Sequence, residues 1–327
     1  MSNAESTPEA IAGPAASESR SAILRPRAVP LGGLRAMTVW RTLPQSGRTT
    51  IGAWCFIDHY RHDTPVDPTM VVAPHPHTGL QTVSWLFRGE IEHRDSVGSR
   101  AIVRPGDMNL MTAGRGIQHS EVATERSEPL HGVQLWTVLP DEHRDIEPFF
   151  EQVPTSAIGV GAAQVRTFLG SFAGSSARAS TFWEFFGAEV TLPAGAHCTL
   201  PVGANHEHGV LIDTGALTID DGRTRLDLEE RELGYLEPGS EHLSLIAGDA
   251  PVRAIVLGGV PFPEPIVMWW NFIGRDADDI VRAREDWQRE VIAGESPRGR
   301  FGTIDGDLAP LPAPGLPTVT LKPRRSR

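Results

Sequence analysis

Residues 74–121 read PHPHTGLQTVSWLFRGEIEHRDSVGSRAIVRPGDMNLMTAGRGIQHSE, with a histidine-containing motif at each end. The first motif is HxH, at His75 and His77, and the second is HxE, at His119 and Glu121, 42 residues beyond His77. Residues i and i+2 of an extended chain point to the same face, so each motif presents two potential metal ligands side by side. Neighbouring barrel strands that carried the two motifs would bring all four side chains into the barrel interior.

Three neutral imidazoles and one carboxylate form a ligand set for a divalent first-row metal ion. An HxH motif alone is a weak indication, because paired histidines are common on protein surfaces. An HxE motif at barrel spacing, with Gly and Pro turns before each motif, makes the combination much more specific. We therefore predict one mononuclear metal site with His75, His77, His119 and Glu121 as ligands. Manganese, iron, cobalt, nickel, copper and zinc are all compatible with this set.

Short strand-like runs, separated by Gly or Pro at intervals of about 8–12 residues, surround these motifs and are typical of an all-β sandwich or barrel. The runs lie at 81–87, 101–103 and 133–138 in the first half, and at 210–213, 216–219, 234–236 and 252–257 in the second. In each half a strand that ends in Gly, at Gly89 or Gly215, is followed by a Pro-Gly turn. We predict an all-β protein with two tandem, related barrels.

The same patterns divide the chain into predicted segments. These are a disordered tail rich in Ala, Ser, Glu and Pro at 1–25, a metal-binding barrel at 26–155, a linker near 151–163, a second barrel without metal at 160–270, and a helix with a Pro-rich tail at 271–327. The tail is expected to be extended or mobile from about Gly302.

One short helix is predicted near the C-terminus, at 276–290. Asp276 is a suitable N-cap, and acidic residues fill the first turn. Ile280, Ala283 and Trp287 fall on one stripe, which is typical of a helix with one buried face.

The 327-residue chain has 40% hydrophobic and 22% charged residues and a formal net charge of -11, the balance of an ordinary globular protein. The acidic charge argues against a general nucleic-acid binder, because phosphate contacts need clustered Lys and Arg. No run of about 18 apolar residues and no signal peptide is visible, so we expect a cytoplasmic protein without membrane association. We also expect a monomer. Cys55 and Cys198 fit either two unpaired thiols or a single disulfide.

The stretch at 74–121 resembles the N-terminal signature of the pirin family, within the cupin superfamily. The likeness runs almost without gaps from about residue 56 to residue 148, including LHGVQLWTVLP at 130–140, and continues more weakly to the helix around Trp287. The resemblance implies two tandem, jelly-roll-like cupin barrels and an iron(II) site in the first. By motif, the family's three His and one Glu ligands fall on the four residues predicted above.

Gln81 departs from the family pattern, in which this position often carries Glu. In many other cupins the same position supplies a ligand. Gln offers no anionic oxygen, so Glu121 is expected to be the carboxylate ligand here.

The resemblance implies quercetin 2,3-dioxygenase activity, with which pirins of bacteria and animals are associated. A flavonol or related enol-type phenol would bind together with O2, and Glu121 would accept the hydroxyl proton. An alternative is a metal-dependent, redox-sensing interaction protein, a regulatory cofactor with little or no turnover, for which the acidic charge suits a protein partner. A cupin isomerase or sugar-binding protein, which needs no redox metal, is a third interpretation.

Polar residues near the motifs leave alternatives open. Arg115, in the Gly-Arg-Gly loop before the second motif, orients an anionic substrate or Glu121, or forms a structural salt bridge. His93, in a charged hairpin tip, is predicted to be solvated. Asp58 and His59 precede the first motif and are candidates for contact with the ligands.

His131 and Gln134 are predicted on opposite faces of one strand, with Gln134 or Trp136 toward the pocket. The second half contains another HxH motif, at His206 and His208. Its distance from the strand-ending Gly differs from that in the first half, and no HxE motif follows. We therefore predict no metal in the second barrel.

Overall fold

The computed structural model describes residues 21–31, 37–61, 70–124 and 128–324, and strands dominate them. In the first half these are β1 Ala22–Leu24, β2 Arg27–Leu31, β3 Met37–Leu43, β4 Trp54–Arg61, β5 Val71–His77, β6 Leu80–Arg88, β7 Ile91–Asp95, β8 Arg100–Val103, β9 Asp107–Thr112, β10 Ile117–Ala123, β11 His131–Val138 and β12 Phe149–Pro154. A short 3-10 helix, Asp141–His143, separates the last two.

The second half repeats this pattern before the chain turns helical. Its strands are β13 Ile158–Val160, β14 Ala163–Leu169, β15 Ser171–Phe172, β16 Ser175–Ser176, β17 Phe185–Leu192, β18 His197–Pro201, β19 Glu207–Thr214, β20 Leu217–Asp220, β21 Arg225–Leu228, β22 Leu233–Leu236, β23 His242–Ala247, β24 Val252–Gly259, β25 Val267–Trp269 and β26 Phe272–Gly274. Helix α1, Ala277–Trp287, follows and continues into a π-helical turn, Gln288–Ile292. The strand-like runs predicted from the sequence all fall on these strands, except that Ala216 precedes β20 by one residue.

Two antiparallel sheets build each barrel, with the same strand order in both halves. In the first barrel a seven-stranded sheet, β12-β9-β6-β11-β4-β3-β2, accompanies a four-stranded sheet, β5-β10-β7-β8. In the second the orders are β1-β22-β19-β24-β17-β14-β13 and β18-β23-β20-β21, so β18 and β23 take the places of β5 and β10. The prediction of an all-β fold with two tandem cupin barrels and a short C-terminal helix is confirmed.

The edge strands β1 and β12 differ from what the sequence predicted. Residues 1–20 of the predicted disordered tail lie outside the described residues, but Ala22–Leu24 pairs with β22 of the second barrel. β12 pairs with β9, so most of the predicted linker is strand, and residues 155–157 connect it to β13. Both strands cover sheet edges whose backbone groups need partners, a tertiary requirement that composition does not reveal.

The joint between the barrels lies between their large sheets. One apolar cluster contains buried residues from both halves, among them Trp85, Leu135, Phe168, Leu211 and Ile255. β11 is buried along its whole length, because one face fills the first barrel and the other faces the second.

Helix α1 begins as the sequence predicted. The side chain of Asp276 accepts a hydrogen bond from the backbone N–H of Asp279 at 2.9 Å, and Ile280, Ala283 and Trp287 are the buried residues of the helix. No helix in the described ranges has the length and apolar character needed to cross a membrane.

The Pro-rich tail is extended and held against the body of the protein. The carbonyl of Leu311 accepts a hydrogen bond from Trp287 Nε1, and the N–H of Leu311 donates to the carbonyl of Pro74, both at 2.8 Å. Ala313 is buried beside the same helix. The tail therefore packs on β5, the strand that carries the HxH motif.

Both cysteines are buried and unpaired. Of the two alternatives from the sequence, free thiols are right and a disulfide is wrong. Burial raises the pKa of the Cys55 thiol far above its usual range, so this thiol stays protonated and unreactive.

A buried ion cluster joins the barrels beside the apolar joint. The carboxylate of Asp213, on β19, accepts hydrogen bonds from Nε2 of His59 at 2.7 Å and from Nε2 of His131 at 2.5 Å. Arg253 donates to the second carboxylate oxygen at 3.2 Å. Burial raises the pKa of Asp213, but the hydrogen bonds from His131 and His59 outweigh it and hold that pKa well below its usual range.

Replacing Asp213 with Asn is expected to lower the free energy of unfolding by about 3 kcal/mol at pH 7, because one side of a buried charged network is removed. The folded-state pKa of Asp213 lies below the unfolded value of about 3.9, so its stabilisation is complete above that pH and is lost as the pH falls further. Urea unfolding at pH 7 and pH 3 should show the difference shrinking. The exposed Asp227→Asn should change stability by less than about 0.5 kcal/mol. An Asp213→Asn effect that is equal at both pH values would contradict this account.

Candidate metal centre

β5 and β10 are antiparallel neighbours in the small sheet of the first barrel. His75 lies directly opposite His119, and a β-bulge follows between His119 and Glu121. Against β7 the pairing of β10 stays regular, so His119 and Glu121 keep the same inward face. His75, His77, His119 and Glu121 have no solvent exposure, at 0% each. The structure thus places all four predicted residues inside one barrel.

The three imidazoles converge on one another. His75 Nδ1 lies 2.8 Å from the carbonyl of Ala73, so it carries the hydrogen, and His75 Nε2 is a buried acceptor that meets no hydrogen-bond donor among the described residues. The Nε2 atoms of His77 and His119 are 3.1 Å apart. These side chains form a group whose ligand atoms lie within 4.8 Å of one another. Nitrogen lone pairs gathered in this way are what a bound cation requires.

The protonation of these imidazoles favours cation binding. Burial lowers the pKa of His75 to about 4 and holds the pKa values of His77 and His119 well below their usual range. The rings are therefore neutral at neutral pH, which is the form in which histidine binds metal ions. A buried cluster of this kind could hold a metal ion.

Glu121 is held by a polar pair on the large sheet. The hydroxyl of Ser84, on β6, lies 3.1 Å from Oε1 of Glu121 and 2.9 Å from Oε1 of Gln134. Glu121 also forms a second group of potential ligands with His93 and His119, within 4.8 Å. The carboxylate is thus fixed beside the imidazoles by contacts that cross the barrel.

Both candidates for the pocket-facing residue of β11 point inward. Gln134 contacts Ser84, and the ring of Trp136 lies 5.2 Å from that of His77. Phe56 stacks on Trp136 with ring centroids 3.9 Å apart. His131 points to the opposite face, toward Asp213 in the second barrel, as the strand alternation predicted.

His93 is not solvated, and that prediction is wrong. It is 3% exposed, stacks on Phe150 at 4.4 Å, and lies opposite Glu121 in the β7–β10 pair. Its Nδ1 is 3.3 Å from Nδ1 of His119, and its Nε2 is 3.0 Å from Asp95. The surrounding charges suggested a surface turn, but His93 and Asp95 alternate along a strand, and this spacing was the signal for an inward face.

Gln81 lies away from the cluster. Its amide donates to Thr112 at 2.8 Å and to the carbonyl of Ser180 at 3.1 Å, on the side of β6 opposite to Ser84. Gln81 therefore has no bearing on the choice of carboxylate ligand, contrary to the expectation from the sequence, because its side chain points toward the second half.

Asp58 and His59 also serve other partners. The guanidinium of Arg41 donates to both carboxylate oxygens of Asp58, at 2.7 and 2.8 Å, and His59 is bound to Asp213. The sequence left open whether Asp58 and His59 contact the candidate ligands. In the structure their side chains bind Arg41 and Asp213 instead.

Arg115 forms a structural salt bridge, the second of the two alternatives. Its guanidinium donates to both oxygens of Glu147 at 2.9 Å, on the surface. Gly114 before it has φ +49°, and a Cβ there would lie 2.0 Å from the carbonyl oxygen of Ile146. Glycine is therefore required to place the loop that leads into β10.

The strands of the second barrel that match β5 and β10 carry apolar side chains inward. Cys198 and Leu200 on β18, and Leu243 and Leu245 on β23, are buried in one apolar cluster. The second HxH motif lies on a different strand, at the start of β19, where His206 pairs with Glu184. Apolar side chains thus fill the space that the candidate ligands occupy in the first barrel.

Comparison with known proteins agrees with this architecture. The Pirin family model matches residues 35–137, and the model of the pirin C-terminal cupin domain matches 187–293. A Pseudomonas aeruginosa protein named "putative quercetin 2,3-dioxygenase" is 37% identical over 294 residues, 89% of each chain. A pirin-like protein of Caulobacter vibrioides is 33% identical over 84% of this chain and 94% of its own length.

A solved structure shares the whole fold. The crystal structure of quercetin 2,3-dioxygenase from Acinetobacter baumannii superposes with a TM-score of 0.82 at 31% identity, over 94% of this chain and 98% of that one. With both family models matched and relatives similar along nearly their full length, the resemblance seen in the sequence is confirmed. The chain belongs to the pirin family.

Proposed function

We propose that the first barrel binds one divalent metal ion, iron(II), through Nε2 of His75, His77 and His119 and a carboxylate oxygen of Glu121. The observation that carries this proposal is the convergence of neutral, fully buried imidazoles on one another. Three imidazoles and one carboxylate leave two positions of an octahedral ion open to other ligands.

The reaction that we assign to this centre is the dioxygenation of quercetin or a related flavonol or enol-type phenol, the activity for which relatives are named. Iron(II), when bound, supplies the redox chemistry that lets dioxygen react with an electron-rich substrate. In the net reaction one O2 is consumed, the central ring of the flavonol opens, and one CO leaves with a phenolic ester as the other product. Atoms balance without a further reductant.

Residues of this chain would prepare the substrate. Glu121 would accept the proton of the flavonol hydroxyl, and the Ser84 hydroxyl holds the carboxylate in place at 3.1 Å. The hydroxyl of Tyr60 and Nε1 of Trp136 are buried in the same barrel without a hydrogen-bond partner among the described residues. Buried donors of this kind are rare unless something binds to them, and the oxygens of a flavonol are suitable acceptors.

His75→Ala is expected to remove bound iron and to lower flavonol turnover by more than about 100-fold, because one of the four ligands is lost. Metal analysis of the iron-loaded protein, with flavonol absorbance followed under air and under nitrogen, measures both effects. His206→Ala, in the HxH motif of the second barrel, is the matched control and should retain metal and turnover. Two iron ions per chain, or turnover that persists in His75→Ala, would contradict the single-site proposal.

Glu121→Gln separates proton transfer from binding. Gln keeps an oxygen that can accept from Ser84 but is a far weaker base, so kcat should fall by about 100-fold or more. Steady-state kinetics at matched metal content provide the measurement. A variant that retains metal and full turnover would show that Glu121 is not the base.

The regulatory alternative is favoured by one observation, the complete burial of all four candidate ligands. A redox-sensing ion needs no substrate access, whereas a flavonol must enter the barrel. Stoichiometric iron with no oxygen-dependent loss of any flavonol would support a metal-dependent interaction protein instead. In that case oxidation of the iron should change the affinity for a protein partner.

A further inference from the structure

A chain of three side chains runs from the candidate centre to the surface turn after β7. His119 Nδ1 lies 3.3 Å from His93 Nδ1, and His93 Nε2 lies 3.0 Å from Oδ2 of Asp95. The side chains of His93 and Asp95 are 4% and 0% exposed. Water therefore does not compete for these contacts.

Asp95 sets the direction of every hydrogen bond in this chain. Its Oδ1 accepts the backbone N–H groups of Val97 at 3.1 Å and Ser99 at 2.9 Å, which orients the carboxylate. A carboxylate can only accept, so the hydrogen of His93 must be on Nε2. When the His93 ring is neutral, its Nδ1 is then an acceptor, and the hydrogen of His119 is on Nδ1. The lone pair of His119 Nε2 is thereby left facing His77.

The rings are also fixed mechanically. The His93 ring stacks on Phe150, with ring centroids 4.4 Å apart, and the centroid of the tilted His119 ring lies 5.2 Å from that of His93. The β7–β10 pairing sets Asp95 opposite His119 and His93 opposite Glu121. His93 contacts Nδ1 of His119. The other nitrogen of His119, Nε2, is the one that points toward His77.

We propose that His93 and Asp95 are positioning residues that fix the tautomer and orientation of His119, so that its Nε2 is a ready metal ligand. This inference rests on the proposed metal centre and deepens it. His75 differs from His119 in its partner, because its Nδ1 is held by a backbone carbonyl. Carboxylate or carbonyl partners of ligand imidazoles typically change metal affinity by about 10–100-fold.

Asp95→Asn tests the direction of the hydrogen bonds. The Asn oxygen can still accept from Val97 and Ser99, while its NH2 group now faces His93 Nε2 as a donor. This change drives the His93 hydrogen to Nδ1 and the His119 hydrogen to Nε2, which blocks coordination. We expect the Kd for cobalt(II) and zinc(II), measured by chelator competition, to rise about 10–100-fold. A change below about threefold in the folded variant would overturn the proposal.

Asp221→Asn is the matched control. Asp221 Oδ1 accepts two backbone N–H groups, of Arg223 and Thr224, and its Oδ2 accepts from Ser240, but it lies in the second barrel. The substitution removes the same charge from the same type of turn and should leave the Kd unchanged. An equal loss of affinity in both variants would show a general charge effect and would also overturn the proposal.

Substitutions of His93 give an independent test if Asp95→Asn folds poorly. His93→Gln retains an oxygen that accepts from His119 and an amide that donates to Asp95, so it should bind metal within about threefold of wild type. His93→Leu offers neither and should lose about 10–100-fold. Equal affinities of the Gln and Leu variants would contradict the proposal.

Spectroscopy reports the tautomer directly. Long-range 1H–15N spectra of the metal-free protein should show His119 protonated at Nδ1, and a hydrogen at Nε2 in the wild type would overturn the proposal. If wild type itself binds neither cobalt(II) nor zinc(II), the proposed metal centre fails. Spectra of the metal-free protein then still decide the His119 tautomer, so the two failures are distinguishable.

Discussion

The pairing of β5 with β10 is the constraint on which the candidate centre depends, because its register sets His75 opposite His119 inside a closed barrel. The Nε2 atoms of the neutral rings of His77 and His119 stand 3.1 Å apart. Two such nitrogens share at most one hydrogen, whereas a cation between them satisfies both. The register of this one strand pair therefore decides whether the imidazoles are placed to bind one metal ion.

The second barrel has the same strand topology, but apolar side chains take the places of the candidate metal ligands. β18 and β23 pair as β5 and β10 do, but Leu200 and Leu243 face each other across the pair and join an apolar core. The fold therefore tolerates either a packed or a polar interior at these strands. Because the large sheets form the joint and Asp213 bridges the barrels, the second barrel stabilises the first.

The sequence was sufficient for features that depend on local periodicity. Alternation along extended strands was enough to place His75 and His77 together, and His119 with Glu121. Prediction failed where tertiary partners decide: Gln81 points to Ser180, and β1 crosses to the second barrel. Charged neighbours suggested a solvated turn for His93, although a strand only five residues long, Ile91–Asp95, carries it inward. Amino-acid composition describes the average polarity of a segment, and the environment of one face of a strand can differ from what that average suggests.

The tautomers of His75 and His119 are determined by different parts of the fold. The tautomer of His75 follows from the backbone of its own strand, since the carbonyl of Ala73 is an acceptor wherever β5 forms. The tautomer of His119 depends instead on side chains of β7, and therefore on the β7–β10 pairing and on the turn that orients Asp95. Separation of β7 from β10 would remove the His93 partner of His119, whereas His75 Nδ1 would keep the carbonyl of Ala73. The hydrogen-bond chain through His93 thus couples the β7–β10 pairing to the capacity of the centre to hold an ion.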